Sequence, residues 1–284
     1  MITAAAGQVA ALVWEAGAVL AAPMVTIVPT AGGDPLVGPT AAGLGVSGTT
    51  YTYVWQVPAA APEGPYTAVL DGTDGATPVE VELAVFVTAE PVYASLDAIK
   101  DALKITDNDR DALIADRLSA ASRQIDRATG RRFWLNTEPT ARVINPRGKV
   151  FCDDDGAHLL VKDVGDVAGL LVEVGRTAAW TDVTGSVEPE PTDALDEQRP
   201  VTSLLRASWP VGIGQRVRVT ARWGWPQVPA VVSQATALQA TRLFKRKDSP
   251  EGITGSAEWG VIRLSRVDPD VHALIEHLII PGIG

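Results

Sequence analysis

The sequence predicts an α+β protein: an antiparallel β-sandwich over residues 1–91, then a helical domain over residues 92–284 that carries a β-rich insertion. Three observations predict it. Residues 1–92 hold eight acidic residues and no Lys or Arg, leaving 26 of the 34 acidic residues and all 24 basic ones to the remainder, so two compositions meet near Glu90-Pro91. Before that join, Thr50 to Val57 (TYTYVWQV) and Val79 to Val87 (VEVELAVFV) alternate at period two between Gly/Pro turns. After it, Ile114, Leu118, Ala121, Ile125 and Ala128 recur at helical spacing.

Further strands of the sandwich are expected at Pro23 to Pro29 and at Gly64 to Leu70. Ser95 caps a first helix, about 95–104, whose Leu96, Ile99 and Leu103 share a face. Thr106 with Asp109 resembles a capping box and starts a second helix, about 107–129, which Gly130 ends. The insertion, about 140–222, has strand-like runs at Ala141–Ile144, Lys149–Cys152, His158–Val161, Leu170–Val174 and Arg216–Arg222. Within it, the acidic and Pro-rich residues 185–200 have no apolar period and read as an exposed loop.

The stretch from Arg216 onward organises the second half. Its strand is broken at Trp223-Gly224-Trp225-Pro226, and a third helix, about 229–247, starts with Pro229 in the first turn. Val228, Val231, Val232, Ala235, Leu238, Gln239, Arg242 and Leu243 form its expected stripe, which should face the seam of the second helix. Lys245, Arg246 and Lys247 complement its carbonyl end, and Pro250 and Gly252 stop it. A last helix, about 269–279, is capped by Asp268 and has Pro269 first. The apolar Leu278, Ile279, Ile280 and Pro281 follow, a run poorly suited to water.

The net charge of −10 argues against a broad basic nucleic-acid face. The single cysteine, Cys152, excludes an internal disulfide framework. The N-terminal apolar run lacks a basic start and is interrupted by Glu15, so it does not read as a signal peptide, and no run suffices for a membrane helix. Asp153-Asp154-Asp155 with His158 reads as a solvated turn, because adjacent carboxylates cannot converge on calcium. His272 and His277 are five apart, on different helix faces, so no zinc site is expected. No nucleophile elbow, phosphate loop or Cys-His signature occurs, and neither enzymatic activity nor a cofactor is expected. Trp223 and Trp225, at a strand end, read as core or subunit-contact aromatics before a stacking platform.

Two resemblances add to this. Gly64-Pro65-Tyr66-Thr67-Ala68-Val69 resembles the late strand of immunoglobulin-like modules, in which a Tyr hydroxyl pins a corner. Three stretches resemble the head-to-tail connector (adaptor) proteins of long-tailed bacteriophages, in the branch infecting high-GC Gram-positive hosts: Tyr93 to Trp134, Ala221 to Gly252, and Gly260 to Val271. That resemblance implies a structural virion neck protein, made in the bacterial cytoplasm. It would form a ring, usually of twelve subunits, under the portal. Such a ring extends the channel for double-stranded DNA and joins the head to the stopper and tail. By the same analogy Leu278, Ile279, Ile280 and Pro281 would dock into the portal protein, while Trp223, Trp225, Lys245, Arg246 and Lys247 would make subunit or DNA-channel contacts. The N-terminal module would sit on the outer rim, near a neck protein or the major capsid protein. The alternative is a carbohydrate- or host-surface-binding protein working through a groove lined by Tyr51, Tyr53, Trp55 and Tyr66.

Overall fold

The computed structural model describes residues 2–58, 60–176, 179–246, 253–254, 262–263 and 269–280. Lys247, Pro250, Gly252, residues 260–261 and 264–268, and Pro281 lie outside the described residues. The class is α+β, as expected. By packing, the chain divides into two compact units: residues 1–125 with 233–275, and residues 126–232 with 276–284. The compositional join at Glu90-Pro91 falls inside the first unit.

In unit 1, β1 (Ile2–Ala5), β8 (Thr77–Thr88), β7 (Gly64–Asp74), β3 (Ala21–Pro29) and β4 (Val37–Thr40) form one sheet, in that order. A second sheet has the order β2 (Val9–Glu15), β6 (Thr50–Gln56), β5 (Leu44–Ser47). Pairing is antiparallel except between β1 and β8, which run parallel. Alternation works as the sequence requires. Leu12, Trp14, Tyr51 and Trp55 of one sheet and Val25, Ile27, Ala68, Leu70 and Val85 of the other point into one shared core. The Trp14 indole N–H reaches the Ala68 carbonyl in the opposite sheet at 3.4 Å. The Tyr66 hydroxyl donates to the Pro62 carbonyl four residues upstream at 3.0 Å, the corner contact its sequence resemblance implied.

The helices of unit 1 follow. In α1 (Leu96–Leu103) the Ser95 side chain accepts from the Ala98 N–H at 3.1 Å. α2 (Asp111–Thr129) begins four residues later than the capping-box reading placed it. The intervening residues are drawn instead toward Lys100, whose ammonium bonds Asn108 Oδ1 at 2.7 Å and pairs with the buried Asp111 at 2.9 Å. α3 (Ala230–Lys245) packs Ala240 and Phe244 against Leu96, Ile99, Ile114, Leu118 and Ala121, so the expected helix–helix seam forms. Of the expected stripe Val232, Ala235 and Gln239 are buried; Thr236, Ala240 and Phe244 are buried as well, while Leu238 is 45% exposed. Ala128 is likewise exposed, and Thr129 is buried in its place. α4 (Pro269–Ile275) continues into a 3-10 turn, Glu276–Leu278. Arg123 ties the end of the sandwich to α2 by pairing with Glu90 and by donating to the Pro91 carbonyl at 2.7 Å.

Unit 2 is built on a sheet with the order β13 (Glu188–Glu190), β14 (Val201–Arg206), β11 (Ala157–Arg176), β15 (Arg216–Trp223), β9 (Thr140–Ile144). β10 (Val150–Cys152) and β12 (Ala179–Asp182) pair with the two ends of β11. Strand β11 runs for 20 residues because register shifts between Leu160 and Leu171 let it pair first with β14 and then with β15. The acidic segment 185–200 is mostly exposed, as expected, but is not loop throughout: Glu188–Glu190 pair with β14, and Ala194 is fully buried. Residues 253–254 and 262–263 form a short antiparallel pair, β16 and β17.

Glycine is obligatory where β15 ends. Gly224 sits at φ +115°, and a Cβ there would meet the Trp134 carbonyl oxygen at 1.7 Å. The Gly224 carbonyl in turn would lie 2.6 Å from a Cβ on Gly165. Three backbone segments therefore cross without a side chain between them. Gly224→Ala is expected to destabilise the protein by about 2 kcal/mol or more. Chemical denaturation of the variant against wild type checks this.

Candidate assembly site

No ligand chemistry announces itself among the described residues, where no group of three metal-capable side chains is gathered. The Asp153–Asp155 turn behaves as a turn. Asp153 Oδ1 accepts from the backbone N–H groups of Asp155 and Gly156 at 3.0 and 3.2 Å. Its other oxygen lies 2.9 Å from His158 Nε2, and the His158 imidazole stacks on Phe151 at 4.6 Å. The hydrogen bond from His158 holds the Asp153 carboxyl below its ordinary range.

The strongest concentration of charge and shape in unit 2 surrounds Arg131. Gly130, at φ +70°, ends α2 and turns the chain so that Arg131 faces the sheet. The guanidinium pairs with Asp163 Oδ1 and donates through Nε to the Leu278 carbonyl at 2.7 Å. It also lies 5.9 Å from the centre of the Trp225 ring, which packs on Phe133 at 5.2 Å. Asp163 is 6% exposed, and its carbonyl accepts from the Gly224 N–H at 2.8 Å. Burial pushes the Asp163 carboxyl above its ordinary pKa, against the pull of Arg131.

Beside this pair lies a cleft of about 380 Å³ with an apolar wall that includes Val143, Leu160 and Ile280 and a cationic rim of Arg142, Lys149 and Lys162. Val143 and Leu160 are 58% and 39% exposed. Arg142 stands over the Trp223 ring at 4.2 Å. Burial, and then the like charge of Arg132, pull its guanidinium below the usual pKa. An apolar wall edged by cations can seat a segment bearing both aliphatic and acidic groups.

The residues singled out from sequence are placed as follows. Trp223 and Trp225, 1% and 7% exposed, belong to the packing of unit 2 itself. The Trp223 indole donates to the Thr140 carbonyl at 2.7 Å. Leu278 is 8% exposed, while Ile279 and Ile280 are half-buried, and the Ile280 N–H bonds the Thr129 carbonyl at 2.9 Å. Lys245 is exposed and Arg246 half-buried. The four aromatics proposed to line a sugar groove do not do so: Tyr51, Trp55 and Tyr66 are 0%, 1% and 3% exposed and fill the sandwich core, with Tyr53 packed against it. Sequence reasoning missed Arg131, Asp163 and the Arg142 rim. Their only sequence signal was the basic pair Arg131-Arg132 directly after the helix-ending Gly130.

Removing Arg131 leaves Asp163 buried with its main charge partner gone. Because the folded pKa of Asp163 lies above its unfolded value of 3.8, the carboxyl favours folding below that value, and this contribution is lost as pH rises through the folded pKa. Arg131→Ala is therefore expected to cost about 3 kcal/mol at pH 7 and less as the pH falls toward 4. Thermal melts of both proteins across that range check it. A penalty independent of pH would assign the loss to the Leu278 carbonyl and the Trp225 ring.

Comparison with known proteins gives one family. The sequence pattern of the family described as phage gp6-like head-tail connector protein matches residues 93–152, which span α1, α2, β9 and β10. No curated protein matches the chain. Among solved structures, one titled "Titin Ig tandem domains A164-A165" is 9% identical, covering 78% of this chain and 76% of that one, with a TM-score of 0.21. A score of that size carries no argument about the fold. No described helix is long and apolar enough to cross a membrane.

Proposed function

We propose that this chain is a structural subunit of a phage neck: a ring, usually of twelve copies, seated under the portal. The ring would lengthen the channel for double-stranded DNA and join the head to the stopper and tail. The observation that carries this reading is the connector-family match over residues 93–152, the segment that contains α1, α2 and the start of the unit 2 sheet. The packing of α3 on that segment supports it, since the helices form one compact cluster with a shared seam. The balance of charge supports it too. An overall charge of −10 disfavours tight retention of passing phosphates.

The N-terminal sandwich is read as an immunoglobulin-like module on the outer rim, facing the capsid or a neighbouring neck protein. Two observations favour that reading. The sheets order as β8-β7-β3-β4 against β2-β6-β5, the arrangement of the G-F-C-C′ and B-E-D strands of such domains, and Tyr66 makes the corner hydrogen bond. Its lack of any basic residue argues against contact with DNA.

Portal docking is proposed for the segment around Leu278, Ile279, Ile280 and Pro281. Leu278 is already engaged within unit 2, so the half-buried Ile279 and Ile280 are the side chains with apolar surface to offer. Lys245, Arg246 and Lys247 remain proposed subunit or channel contacts, whereas Trp223 and Trp225 are buried within unit 2 and would act by stiffening the end of β15. Ile279→Ser with Ile280→Ser is expected to preserve the fold by circular dichroism and to reduce co-sedimentation with portal-bearing heads at least about tenfold. Undiminished co-sedimentation would remove the docking assignment. Gold labelling of this protein on purified particles tests the wider reading, which requires the label at the neck.

A further inference from the structure

The two margins of the unit 2 sheet carry opposite charge. At one margin lie β12, β13 and the turn that follows them. Residues 179–198 contain six acidic residues and no Lys or Arg. Glu188, Asp193 and Asp196 are exposed, and none of them forms an ion pair among the described residues. At the other margin lie β9, β10 and the turn between them. Residues 131–149 contain five basic residues against Glu138 alone. Arg147, Lys149 and the neighbouring Lys162 are exposed, again with no ion pair among the described residues. The acidic turn at Asp153–Asp155 lies past the far end of β10 and is tied internally to His158. β13 and β9 are the end strands of the five-strand path, so four strand spacings, about 19 Å, separate the margins.

We infer that these margins are the two halves of one interface, through which the acidic margin of one copy of this chain meets the basic margin of the next. Three arguments converge on it. First, the margins are complementary, and each keeps a surplus of one sign after Glu197 pairs with Arg199 and Arg131 with Asp163. Second, they select the geometry of association. An edge-to-edge two-fold pairing through one margin would set acidic against acidic or basic against basic, which repels, whereas head-to-tail pairing of the edges satisfies both. Repeated head-to-tail contacts generate a ring when the rotation closes. Third, the contact is made by side chains and not by continuing the sheet. β13 is three residues long and holds Pro189, with Pro191 directly after it, and neither supplies a backbone donor. This inference rests on the ring reading above and supplies its subunit contact. The exposed Val143 on β9 lies beside the cations and gives the contact an apolar element.

The test uses the full chain and two charge-reversed variants at exposed positions. Arg147→Glu with Lys149→Glu leaves as many acidic as basic residues over 131–149, and Glu188→Lys with Asp193→Lys leaves four acidic residues against two lysines over 179–198. Sedimentation of wild type at about 1 mM protein is expected to show self-association that weakens as salt rises past the ~10 Å screening regime near 0.1 M. Each variant alone is expected to associate about tenfold or more weakly. An equimolar mixture of the two should recover association, because each then presents the margin the other lacks. Three results overturn the inference: a wild type that stays monomeric at low salt, variants that associate as wild type does, or a mixture no better than its components. Loss of duplex DNA binding by the Arg147/Lys149 variant with self-association intact would also overturn it, assigning the basic margin to nucleic acid. An assembly insensitive to either reversal removes this interface and leaves the neck reading standing. Absence of the protein from the particle neck removes that reading separately.

Discussion

The buried pair of Arg131 with Asp163 is the constraint on which unit 2 is arranged. One guanidinium meets a carboxylate from the middle of β11, a carbonyl from the C-terminal segment and the face of Trp225. Those partners come from sequence positions far apart, so a single side chain fixes the exit of α2, the bend of β11 and the course of residues 276–280 together. A carboxylate with this little access to water is tolerated only because a cation lies against it. The Asp163 backbone carbonyl is spoken for by Gly224, which extends the same knot to the end of β15. Around that knot, Arg142 and Lys162 remain as surplus positive charge, and the surface of this side of the unit takes its character from them.

Local periodicity made much of the architecture legible. Strand alternation from Thr50 to Val57 and from Val79 to Val87 fixed which residues enter the sandwich core, since the side-chain period in a strand leaves no other choice. The spacing of Ile114, Leu118 and Ala121 likewise announced a helix with one buried face. Ser95 was readable as a cap because capping is a contact three residues long. The Gly224 break was readable because glycine and proline act on their own backbone.

What the sequence concealed depended on distant partners. The start of α2 was misplaced because Lys100 recruits Asn108 and Asp111 across a turn, and no local rule weighs that demand against a capping box. The strand at Glu188–Glu190 was hidden under two prolines and a high charge, and it exists because β14 offers it a ladder. The stripe of α3 was misjudged at Leu238 since the facing surface selects Ala240 and Phe244 instead. Trp55 and Tyr66 illustrate the same limit from the other side. Aromatic residues in a β domain look alike in sequence whether they line a groove or fill a core, and here they fill it. Arg131 was the most consequential omission, because an arginine after a helix-ending glycine has an ordinary appearance until its three partners are seen.

The crossing of Gly165, Gly224 and Trp134 has a mechanical consequence. Side chains between backbones act as cushions, which rotate and yield under load. Here the main chains touch directly, with a carbonyl oxygen where any cushion would have to fit. A pull along β15 is thereby handed rigidly to β11 and to the segment leaving α2, with almost no slack to absorb it. The stiffness of this point is made from the absence of two side chains.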